Sequence, residues 1–79
     1  GREGPNRTWY ENGVLWLESY YKNNVLNGPH KEWNEKGDLV VECYYQNGIF
    51  EGKFTRWYNK QKFRECFYIN GKINGIFRS

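Results

Sequence analysis

The stretch that decides the fold is residues 28–51, GPHKEWNEKGDLVVECYYQNGIFE. Residues 30–34 read as a short strand, Glu35-Lys36-Gly37-Asp38 as a turn, and residues 39–45 as a second strand. Gln46-Asn47-Gly48 then opens the link to the next unit. Glycine after a polar pair supplies the positive φ that tight hairpin turns require. The second strand alternates, with Leu39, Val41, Cys43 and Tyr45 on a packed apolar face and Val40, Glu42 and Tyr44 on a mixed one. No 3.6-residue apolar period is present, so nothing reads as a helix.

The flanking residues repeat this pattern. Opening glycines at Gly4, Gly28, Gly52 and Gly75 divide the chain into units 4–27, 28–51 and 52–74 and a partial unit 75–79. Trp9, Trp33 and Trp57 each follow the opening glycine by five residues and are expected to pack. Self-similarity at a fixed spacing of about 20–50 residues is the mark of a stacked array. The expected fold is therefore all-β: one elongated antiparallel meander of stacked hairpins spanning residues 1–79. The absence of Met and the short final unit suggest a fragment of a longer array.

The third unit is one residue short between Trp57 and Glu65. If the turn has lost it, Lys62 takes the place of Leu15 and Leu39, and Phe63 moves to the mixed face. If the loss falls after Phe63, that ring stays inside at the cost of an irregular strand. Burying a large apolar side chain is worth about 2 kcal/mol, which favours Phe63 inward.

Composition narrows the function. Hydrophobic residues make up 38% of the chain, yet 16 positions are Trp, Tyr or Phe, which suits a thin structure covered by large rings. No apolar run is long enough for a membrane span, and no signal peptide opens the chain. Residues 1–52 carry five Lys/Arg against eight Asp/Glu, and residues 53–79 seven against one, so the net charge of +3 conceals a dipole. Such polarity recruits an anionic partner or guides one end of an array onto another.

Cys43 and Cys66 occupy equivalent positions, with Ser19 in the first unit. Equivalent strands lie about 9.5 Å apart, beyond the roughly 7 Å reach of a disulfide between Cα atoms. Two reduced, buried thiols and a cytoplasmic location are expected. One histidine, His30, leaves neither a zinc site nor a hydrolase triad, and an exposed structural role suits it. Glu18, Glu42 and Glu65 recur in register, a ladder that surface Lys and Arg would pair. No catalytic, metal or cofactor site is expected.

The sharpest functional feature is basic. Lys53, Arg56, Lys60, Lys62, Arg64 and Lys72 surround Trp57, Tyr58 and Phe63. Basic groups among aromatics track single-stranded nucleic acid or meet anionic lipid headgroups. The plainer reading is that Lys and Arg keep open sheet edges from pairing.

The pattern GxxxxWYxNGxLxxExxYxNGxxxG, spelled from Gly4 to Gly28 and repeated with variations to Gly75, resembles the MORN repeat in its degenerate bacterial and giant-virus form, the class that includes YwqK-like antitoxins. Asn24 and Gln61 stand where the pattern has glycine. The resemblance implies a twisted, grooved meander with one hairpin per repeat, acting in interaction or assembly, with self-association in several members. It also implies phospholipid binding or antitoxin-like neutralisation as alternatives, and no catalytic residues. Together these readings point to a non-enzymatic protein-interaction and scaffolding module. The alternative is an anionic ligand, a phosphoinositide headgroup or single-stranded nucleic acid, on the basic half. Open edge strands add self-association.

Overall fold

The computed structural model describes the backbone of residues 3–78 and the side chains of residues 3–73. Each unit folds as a hairpin of two long strands. These are β1 (Gly4–Trp9) with β2 (Leu15–Lys22), β4 (Gly28–Trp33) with β5 (Leu39–Gln46), and β7 (Gly52–Tyr58) with β8 (Gln61–Ile69). The strand β9 (Lys72–Arg78) follows. The sheet order β1-β2-β4-β5-β7-β8-β9 makes an antiparallel meander, and no helix occurs among the described residues. Two-residue strands β3 (Val25–Leu26) and β6 (Ile49–Phe50) extend β2 and β5 at the link ends. The sheet measures 35 × 35 × 10 Å, the thickness of a single layer.

The links close as two-residue turns. Asn23 and Asn24 have φ of 53° and 68°, Asn47 and Gly48 53° and 82°, and Asn70 and Gly71 52° and 82°. Two successive positive φ values are the turn geometry that matches strand twist in a hairpin. After the turn, Asn27 N donates to Tyr20 O at 2.8 Å, and Gly28 re-aims the chain into β4 with φ of 131°. A Cβ at Gly28 would sit 3.2 Å from Tyr20 Cβ, so both backbone conformation and space demand glycine there.

A repeated set of contacts joins one unit to the next. Glu3 Oε2 accepts from Asn23 N at 2.7 Å, Asn27 Oδ1 from Asn47 N at 3.0 Å, and Glu51 Oε1 from Asn70 N at 3.1 Å. Gly48 N donates to Leu26 O at 2.7 Å, and Gly71 N donates to Phe50 O at 3.0 Å. Each second turn is thus tied to the residues just before the preceding opening glycine. At the opposite end the Tyr10 hydroxyl donates to Trp33 O at 2.8 Å, and Asn12 Nδ2 to Glu35 O at 3.1 Å.

The two faces differ. One carries Leu17, Ser19, Val41, Cys43, Phe54 and Cys66, of which Ser19, Val41, Cys43 and Cys66 are buried; we term it the thiol face. The other carries a row set by consecutive Cα pairings: Arg7, Glu18, Lys31, Glu42, Thr55 and Glu65. Its carboxylates alternate with basic residues except at Thr55. This is the ladder face.

The third unit departs from expectation. Asn59 and Lys60, with φ of 52° and 65°, form a two-residue turn between Tyr58 and Gln61. The first two units have longer turns here, in which Tyr10 N donates to Val14 O and Asn34 N to Asp38 O. The lost residue therefore comes out of the turn, and Gln61 is the first strand residue, not a substitute for the turn glycine. Lys62 pairs with Trp57, as Leu15 pairs with Trp9 and Leu39 with Trp33. Phe63 is 54% exposed and not buried as expected. In a one-layer sheet that position offers no deep interior, so the burial term that favoured Phe63 is largely unavailable. The register shift that skips Phe63 likewise skips Trp16 and Val40, one bulge in each unit. Strict alternation holds only beyond it.

Candidate partner-binding face

The charged ladder is satisfied internally. Arg7 Nε lies 2.6 Å from Glu18 Oε2, Lys31 Nζ 3.8 Å from Glu42 Oε2, and Lys53 Nζ 3.1 Å from Glu65 Oε2. Lys62 Nζ adds a second cation 3.4 Å from Glu65 Oε2. The hydrogen bond from Lys53 is the main cause that holds the Glu65 carboxyl below its ordinary value. The Glu18 hydrogen bond similarly raises Arg7. The register of Glu18, Glu42 and Glu65 thus produces cross-strand ion pairs with Arg7, Lys31 and Lys53.

The basic residues singled out in the sequence do not form one patch. Lys53 and Lys62 are committed to Glu65 on the ladder face. Lys60 sits in the first turn of the third unit, its Nζ 3.9 Å from Asp38 Oδ1. Lys72 is exposed at the opposite end of the sheet, paired along the backbone with Ile69. Arg56 and Arg64 face each other across β7 and β8 on the thiol face. The bulge at Phe63 separates Lys62 from Arg64, which parity alone would place on one face, and ordinary alternation separates Lys53 from Arg56.

Beside Arg56 is an open cavity of about 500 Å³ lined by Glu32, Val40, Val41, Trp57, Tyr58 and Phe63 as well as Arg56. Trp57 and Tyr58 were legible as candidates; the three residues from β4 and β5 were not. A signal existed: Val40 and Phe63 are the skipped residues of adjacent units and so fall at the same end of neighbouring hairpins. The repeating tryptophans are unequal, with Trp9 exposed on the edge strand and Trp33 and Trp57 half-buried.

Further along the thiol face the aromatics touch. Tyr45 stacks on Phe50 with ring centroids 4.8 Å apart, and Phe50 meets Tyr68 at 4.9 Å and Phe54 at 5.4 Å. Burial raises both phenols, Tyr45 and Tyr68. His30, expected to be exposed, is turned onto this face; its side chain is 13% exposed and lies edge-on to Tyr45 at 5.6 Å. His30 Nε2 is 2.9 Å from Glu32 Oε2, while its buried Nδ1 has no hydrogen-bond partner.

Cys43 and Cys66 are free and buried. Burial, with smaller contributions from Glu32 and Glu42, pushes the Cys43 thiol up to about 12. Such a thiol is a packing residue and a poor nucleophile. No cluster of three His, Cys, Asp or Glu able to hold a metal occurs among the described residues, and none of their helices could cross a membrane, since there are none.

The hairpin repeats, their recurring turns and the one-layer sheet agree with the sequence profile of the MORN repeat variant, which matches residues 2–23 and 26–47. The chain belongs to the MORN repeat variant family. The match covers the first two units, whose longer first turns keep Gly13 and Gly37; the third, with its shortened turn, lies outside it. No curated protein and no solved structure matches the chain. This MORN chain resembles its family in fold and repeat.

Proposed function

We propose that this MORN array is a non-enzymatic protein-interaction module that binds a partner on its thiol face. One observation carries the reading. A sheet only 10 Å thick places the half-buried cluster of Tyr45, Phe50, Phe54 and Tyr68 under no second layer among the described residues. Sheets bury an apolar face against another layer, and a protein partner is the layer this one lacks. The ladder face is less suited, because its charges already pair across the strands. A repeat array that offers a continuous surface, with β1 and β9 outermost among the described strands, also suits scaffolding and self-association. Toxin neutralisation would be one instance of such partner binding. The free thiols favour a reducing compartment such as the cytoplasm.

The anionic-ligand reading is weaker than the charge count suggests. Two of its lysines are engaged with Glu65, and the remaining cations lie in different parts of the sheet. Affinity capture from extract, washed at low and then high salt, separates the two. A stoichiometric protein retained at high salt supports the proposal; retention of only lipid or nucleic acid, stripped by salt, refutes it.

A further inference from the structure

Arg56 and Arg64 are directly opposed, with Cα atoms of such partners typically about 4.5–5.5 Å apart. Both side chains are exposed, and no ion pair within 4.0 Å engages either guanidinium among the described residues. Like charges placed opposite one another destabilise a sheet. Glu18, Glu42 and Glu65 of the ladder face each have a cation within 4.0 Å, whereas neither arginine has a carboxylate that close among the described residues, although Lys53 and Lys62 share a single glutamate nearby. The cavity beside Arg56 supplies an apolar counterpart in Val40, Val41, Trp57 and Phe63.

We propose that the arginine pair and this cavity together seat an acidic segment of a partner protein, one that carries an aromatic or large aliphatic side chain next to a carboxylate. The apolar side chain enters between Val40, Trp57 and Phe63, and the carboxylate bridges the two guanidiniums. Glu32, at the other side of Val41 in the same register row, repels a second carboxylate there and fixes the direction in which the segment lies. Arginine suits this task because its planar fork pairs with carboxylate oxygens two at a time. A mixed seat of this kind combines an apolar anchor with charge selectivity. The inference deepens the protein-partner reading of the thiol face and rests on it.

The test uses the full chain and synthetic peptides of about twelve residues. One carries a central Glu-Phe-Glu; the controls replace the glutamates by Gln, the Phe by Ala, or the glutamates by Lys. The Glu-Phe-Glu peptide should bind at least about tenfold more tightly than every control, and Arg56→Gln with Arg64→Gln should abolish that preference. The unliganded double variant should melt roughly 1–5 °C higher than the parent, because a repulsive pair has gone; this readout also shows that it folds. Equal binding of all four peptides, preference unchanged in the double variant, or a lowered melting temperature overturns the proposal. So does tighter binding to phosphatidylcholine vesicles containing phosphatidylinositol bisphosphate, if the double variant loses it, since the arginines would then serve a lipid. If a protein from extract is captured equally by parent and double variant, the interaction module stands and this seat alone is wrong.

Discussion

The Tyr10 hydroxyl reaches forward a whole unit to donate to the Trp33 carbonyl oxygen at 2.8 Å. Tyr10 also stacks on Trp16, with ring centroids 5.4 Å apart, so the ring is held where its hydroxyl can act as a strap between hairpins. Removing the hydroxyl while keeping the ring isolates that strap. Tyr10→Phe should cost about 1 kcal/mol in a denaturant melt, the ordinary net worth of a part-buried hydrogen bond. A cost near zero would show that the stacked ring alone joins the first two units.

Lys60 has φ of 65° in the shortened first turn of the third unit, a conformation that L-residues other than Asn and Asp rarely adopt. The equivalent second position of two link turns is glycine, at Gly48 and Gly71. Lys60→Gly should therefore stabilise the third hairpin, by about 1 kcal/mol in thermal or denaturant unfolding, against a small loss from its ion pair with Asp38. Lys60→Val should destabilise it, because a β-branched residue is poorly accommodated at positive φ.

Glu65 should shape acid stability. Its folded carboxyl lies below the ordinary value because of the hydrogen bond from Lys53, with Lys62 adding to it. A depressed carboxyl contributes stability that is present above the unfolded value and lost as pH falls through the folded one. Melting temperature should drop on acidification from pH about 5 toward pH about 2, and Glu65→Gln should flatten part of that slope. An unaltered slope in the variant would remove Glu65 from the account.

Cys43 and Cys66 should be inert while the chain is folded. Cys66 is 2% exposed, and the Cys43 thiol, pushed up to about 12, is almost wholly protonated at neutral pH. A chromogenic disulfide reagent should titrate neither thiol at neutral pH and both after denaturation. Prompt reaction of either in the native chain would contradict the burial described for the thiol face.

The glycines, the Asn-Gly turns and the alternation through Val41, Cys43 and Tyr45 made the meander legible, because each reports a local backbone requirement. Contacts between units were harder to read. The tie from Glu3, Asn27 and Glu51 to the next turn depends on a side chain accepting from a backbone N–H about twenty residues on, although an acceptor before each of the first three opening glycines was a visible hint. The fate of Phe63 turned on a competition that sequence alone weighted wrongly. A two-residue turn closed the hairpin well, and a one-layer sheet offered little depth for the ring. The same bulge puts Lys62 and Arg64 on opposite faces, ordinary alternation separates Lys53 from Arg56, and Lys60 and Lys72 fall at opposite ends of the sheet, so six basic residues that look like a patch are divided.

The central claim is that a protein partner covers the thiol face beside the cavity. Phe63 lines that cavity and is exposed, whereas Tyr44 is exposed on the ladder face, so either can be changed without emptying a core. The decisive measurement is quantitative capture from extract at high salt by the parent chain, by Phe63→Ser and by Tyr44→Ser. The account predicts one protein held in stoichiometric amount by the parent and by Tyr44→Ser and lost from Phe63→Ser. Loss from Tyr44→Ser with retention by Phe63→Ser, or no protein retained by the parent, would contradict it.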